Sequence, residues 1–145
     1  MAGFTLRKSQ GTDDVEEWTI SSETVSVGDL LMWTAGTATA TVATASAESF
    51  DRVGVAIESA TTSDTTVKVI ICNLNQTWEV ETANNSSSSD NGDAMILTDK
   101  NTVNNTGTNS TASEALVIQL QPVGAAADKK ILVRFTNTMG GLANN

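Results

Sequence analysis

The chain has 145 residues, enough to bury one compact core or two small units that share one. Its 8 basic and 17 acidic side chains leave a formal charge of −9, so most of the surface would repel nucleic-acid phosphates, and DNA or RNA is not an expected partner. Histidine and tyrosine are absent, which removes His-dependent nucleophilic triads, His metal ligation and the usual near-neutral general base; the chain reads as a non-enzyme without cofactor or metal.

In chain order, residues 1–14 read as an extended N-terminal arm, basic on an acidic protein, with Phe4 and Leu6 followed by Arg7 and Lys8. These four residues are the candidate contacts with a partner surface, through addition of a strand to an exposed sheet edge. The first ten residues lack the apolar run of a signal peptide, and no stretch approaches the ~20 apolar residues that span a bilayer, so neither standard secretion nor a membrane is expected. Strands are then predicted at 15–20, 30–33, 37–44, 52–58, 66–72, 77–82, 94–98, 115–121 and 130–136, where Val, Ile, Thr and Trp cluster in short runs separated by turn residues. Val53, Val55 and Ile57, and likewise Trp78 and Val80, alternate with period two, which places one face on a core. The fold class expected is all-β, a compact sandwich or barrel-like domain built from two related β-units. The first covers 15–83, a polar Asn/Ser connection covers 84–91, and the second, with a C-terminal tail, covers 92–145.

Several local features read as structural. Cys72, in the apolar run from Val69, is a small buried hydrophobe that has no disulfide partner. Pro122 falls just past a strand, where no ladder N–H is required. Asp90-Asn91-Gly92-Asp93 lacks the full alternation of oxygen ligands of a calcium loop and reads as a solvated turn. Asp13-Asp14 and Glu16-Glu17 read as a charged, solvated face, since adjacent carboxylates seldom stand across a cleft from each other. Trp18, Trp33 and Trp78 lie in strands and read as packing residues rather than a sugar platform. Five glycosylation sequons, at Asn75, Asn84, Asn85, Asn104 and Asn109, follow from the abundance of 22 Thr, 14 Ser and 12 Asn. The same abundance gives a neutral, polar surface.

An internal repeat emerges at a shift of 64 residues. Gly28-Asp29 falls on Gly92-Asp93, Val53 on Val117, Asp64 on Asp128, and Val67 and Val69 on Ile131 and Val133, with nine identities over 45 ungapped pairs. Ser46 and Ser49 meet Ser110 and Ser113, and each unit is preceded by a Trp-bearing strand, at Trp18 and Trp78. Units of this size are small for independent folding and are expected to share a sheet or barrel.

Val27-Gly28-Asp29-Leu30-Leu31, then Arg52-Val53-Gly54-Val55-Ala56-Ile57-Glu58-Ser59-Ala60 and Thr65-Thr66-Val67-Lys68-Val69-Ile70, resemble tailed-bacteriophage capsid decoration proteins. That family carries a Gly-Asp that opens a strand, a variable segment, a Gly-Val-Ala strand, a small-residue turn and a short terminal strand. The second half matches more weakly, with Ile118-Gln119-Leu120 in place of Gly54-Val55-Ala56. The resemblance implies a structural virion protein made in the host cytoplasm. It would bind the major capsid protein on the outside of an assembled head and stabilise it, as a homo-oligomer with a trimer favoured. The rival reading is a phage head-fibre, tail or adhesive module that binds host-surface glycans.

Overall fold

The computed structural model describes residues 3–33, 36–44, 52–105 and 116–136. The Ser46/Ser110 and Ser49/Ser113 matches, the sequon at Asn109 and the tail 137–145 lie outside them. The described chain is all-β, with two sheets and two single 3-10 turns.

One sheet is a closed barrel. It holds β1 (Thr5–Ser9), β7 (Gln76–Thr82), β11 (Lys130–Phe135), β10 (Val117–Pro122), β8 (Ala94–Asp99) and β9 (Thr102–Asn104), in that order. A parallel pairing of Glu81 with Thr102 and Thr82 with Val103 brings β9 back onto β7, so five strands close and β1 is an extra strand on the same edge of β7. The other sheet is curled, in the order β2 (Val15–Thr19), β6 (Thr66–Ile71), β5 (Arg52–Ala56), β3 (Leu30–Trp33) and β4 (Thr41–Val42). Its two edges meet at one backbone hydrogen bond, Ala40 N to Thr19 O at 2.8 Å.

The two strand orders are the same once β2, β3, β4, β5 and β6 are matched to β7, β8, β9, β10 and β11. Local details repeat too. Gly28 N donates to Ala56 O and Ala56 N to Asp29 O; Gly92 N donates to Gln119 O and Gln119 N to Asp93 O. Both glycines hold positive φ, 94° and 91°, a conformation that a side chain would strain. Before the last strand of each unit, an aspartate closes the turn: Asp64 Oδ2 accepts from Thr61 N at 2.7 Å, and Asp128 Oδ2 from Ala125 N at 2.9 Å. These pairs match at the 64-residue shift, with one residue of slip on β10, where a register irregularity falls between Gln119 and Gln121.

The tryptophans do not correspond. Trp18 faces Val67 across β2–β6, and it is Val80 that faces the matching Ile131, so Trp78 sits two positions away from the equivalent site. The boundary between the units also differs from the expected 84–91. The sheets change at the turn that joins β6 to β7, so β7 belongs to the barrel and the Asn/Ser segment caps it. Gln119 Nε2 donates to Ser87 O and Asn91 Oδ1 at 2.7 and 2.9 Å, fastening that segment over the barrel end.

Two apolar cores result. The inner face of the curled sheet encloses Trp18, Ile20, Val25, Leu31, Val67 and Val69. The barrel interior, with Trp78, Val80, Val103, Ile131, Val133 and Phe135, is continuous with Leu30, Met32, Val53 and Val55 on the opposite face of the curled sheet. Burial on both faces explains why β3 and β5 read as unbroken apolar runs. A buried carboxylate ties the units: Asp29 Oδ2 accepts from Ser26 N at 2.9 Å and lies 3.2 Å from Lys100 Nζ, while Leu30 N donates to Lys100 O.

Candidate functional site

The four residues expected to reach a partner are placed first, because the structure uses them differently. The arm is a strand of the protein's own barrel: Thr5 pairs with Glu79, Leu6 with Trp78, Lys8 with Thr77 and Ser9 with Gln76. Phe4 is 3% exposed, its ring 5.4 Å from that of Phe135, and its N–H donates to Gly28 O. Leu6 is half-buried against the same core. Arg7 forms a 2.7 Å ion pair with Glu79, and Lys8 is exposed. The expectation of strand addition thus has a physical basis, but the receiving edge is internal, and Phe4 is not free to fill a pocket elsewhere.

The acidic pairs are also put to structural use. Glu16 accepts from Trp18 Nε1 at 3.2 Å and pairs with Arg52 at 2.5 Å, and the Arg52 guanidinium lies 5.5 Å from the Trp18 ring centre. The hydrogen bond from Arg52 holds the Glu16 carboxyl below the usual carboxylate range, against a smaller opposing effect of burial. Asp13 Oδ1 accepts from Ser9 Oγ and Gln76 Nε2. Trp18 and Trp78 are each 1% exposed, and Trp33, half-buried, meets Trp18 edge-on at 5.5 Å. Cys72 is buried, which pushes its thiol pKa up. Among the described residues no cluster of three or more Cys, Asp or Glu side chains is arranged to hold a metal ion.

What the fold does assemble is an apolar cleft of about 200 Å³ where β1 meets the outer face of β5 and β6. Phe4, Leu6, Val27, Val55, Ile57 and Ile70 line it. The large hydrophobic side chains that remain exposed among the described residues are Val15, Val27, Ile57 and Leu74, at 40 to 54%. Two of them, Val27 and Ile57, line this cleft. Val15 pairs across strands with Ile70, so the two share a face, and Leu74 is on the turn between Ile70 and Trp78, which both line the cleft. That turn is braced, since Asn73 Oδ1 accepts from Asn75 N and Asn73 N donates to Gln76 Oε1, both at 2.9 Å. Single exposed apolar residues are ordinary, whereas exposed apolar residues on the wall of an apolar cleft suit a contact surface.

The chain matches no protein-family model and no curated protein. Geometry therefore carries the functional argument. The cleft offers apolar area, and its lining carries no titratable side chain, so it suits docking.

Sequence reasoning missed this face for an identifiable reason. Val15 and Ile70 lie on the outward phase of their strands, and the signal was there in Val69-Ile70-Ile71, where the polar/apolar alternation of β6 breaks. An apolar run, however, reads equally well as a fully buried strand end.

Proposed function

We propose that the protein is a structural component of a virion that docks on the outer surface of an assembled phage head, against the major capsid protein, and stabilises the shell. The observation that carries this reading is the apolar cleft lined by Phe4, Leu6, Val27, Val55, Ile57 and Ile70, with Val27 and Ile57 of its wall exposed. The segments that resemble the decoration family add support, because Gly28 and Asp29 are hydrogen-bonded to Ala56, and Gly28, Val55 and Ala56 line that cleft. A small module gains affinity for a shell from modest contacts repeated by symmetry, and an apolar cleft supplies such contacts. The contact surface in this reading is the cleft, to whose wall the arm contributes Phe4 and Leu6. The glycan-binding alternative draws less support, since Trp18 and Trp78 have no ring face in solvent.

The test is occupancy on purified heads that lack the protein. Wild-type protein is expected to saturate them, and Ile57→Asp combined with Val15→Asp, both at exposed positions, to lower occupancy at least tenfold. Failure of the wild-type protein to bind any head would remove the proposal; full occupancy by the double variant would move the contact elsewhere. Sedimentation of the free protein checks the trimer.

A further inference from the structure

The duplication exposes an edge where one unit has a strand and the other does not. In the barrel, the outer edge of β7 is shared: residues 76–79 pair with β1, and Glu81 and Thr82 with β9. In the curled sheet β2 takes the place of β7. Ile20 N donates to Thr65 O as Thr82 N donates to Lys129 O, which fixes a shift of 62 residues between these two strands. Thr19, which accepts from Ala40 N, then corresponds to Glu81, so both units close at the same point. Residues 76–79 fall on residues 14–17, and among the described residues no strand lies along that stretch of β2.

The edge is prepared for one. Thr19 O points away from β6, so by strand alternation the N–H and C=O groups of Val15 and Glu17 point the same way. Glu79, which holds Arg7 of β1, has Glu17 as its counterpart. Glu17 and Asp14 are exposed and form no ion pair among the described residues, even though Lys68 lies opposite Glu17 on β6. Val15 offers an apolar side chain beside Ile70 and the cleft.

We infer that the open edge of β2 at residues 14–17 receives an extended segment of a partner protein, antiparallel to β2, with a basic side chain over Glu17. The inference rests on the reading of this face as a docking surface and names the chemistry of the segment that docks. Main-chain hydrogen bonds supply affinity in such an addition, and the charge on Glu17 sets register and sign. β1 on β7 is the internal precedent.

The probe is a fluorescently labelled peptide with the sequence of residues 3–10, added to the full-length protein and followed by anisotropy. Saturable binding is expected, weakened about fivefold by Glu17→Lys and recovered by a peptide carrying Arg7→Glu. Glu17 is exposed, so the variant folds. Three results would overturn the inference: no binding, as when a segment of the same chain outside the described residues already occupies the edge; binding indifferent to Glu17→Lys; or binding that responds to Glu79→Gln instead, which signals exchange with β1. Head occupancy measured in parallel separates the two readings. Heads that bind protein while the peptide does not leave docking intact and remove the strand site; peptide that binds while heads refuse the protein does the reverse.

Discussion

The Glu16 carboxylate shows how much one side chain can be asked to do on this surface. It joins Arg52 and the Trp18 indole, and Arg52 in turn covers the Trp18 ring. Both partners are about two-fifths exposed, so solvent and salt screen the pair and its worth is at most ~1 kcal/mol. Its sign is nevertheless fixed. Because the folded carboxyl sits below its ordinary value, the stabilisation is complete above the usual carboxylate range and is lost as pH falls through the lowered value. Replacement Arg52→Gln is expected to return the Glu16 titration toward that usual range, as read by carboxyl chemical shifts against pH, with little loss of melting temperature. An unmoved Glu16 titration would show that Trp18 alone sets it.

At the scale of single strands, β5 explains why a glycine stands in its Gly-Val-Ala stretch. A Cβ on Gly54 would come 2.9 Å from Val69 Cγ2 and 3.1 Å from Trp18 Cη2, so the strand passes beneath the indole with no room for a methyl group. Substitution Gly54→Ala is expected to displace Trp18 and cost about 1–3 kcal/mol, visible as a lower denaturation midpoint and an altered near-ultraviolet dichroism. An unchanged aromatic signal would refute this account. The same strand illustrates what the amino-acid order discloses. β3, β5, β6 and β11 are legible to within two residues because β-branched runs are bounded by turn residues, and the duplication is legible because Gly28, Gly92, Asp64 and Asp128 do fixed backbone jobs. β1 escaped as a barrel strand because Thr5-Leu6-Arg7-Lys8 has one apolar residue and a partner far along the chain; β9 escaped because Val103 stands alone among Thr and Asn. Of the cleft, Phe4 and Leu6 were named as contacts and Val27, Ile57 and Ile70 were not, since their gathering depends on how the two sheets meet.

For the molecule as a unit, the junction between the sheets decides whether they melt together. The barrel core runs without a break into Leu30, Met32, Val53 and Val55 of the curled sheet, and Asp29 with Lys100 adds a polar tie beside it. One cooperative transition is expected by calorimetry, with equal calorimetric and van't Hoff enthalpies. Replacing Asp29 by Ala strands the Ser26 N–H, while Lys100, a third exposed, can turn to water; a loss of about 2 kcal/mol is expected, still in one transition. Two separated transitions would mean that the units are independent.

The placement of β1 also bears on synthesis. It precedes the other described strands in the chain, yet it pairs with β7, and Phe4 packs on Phe135 at the end of β11. The strands of the curled sheet are all made before β7 exists, whereas the barrel waits for β11, which sits between β7 and β10. Until β7 and β11 are made, Phe4 and Leu6 have only the curled sheet to rest on. A chain cut short before β11 leaves Phe4 without the ring of Phe135.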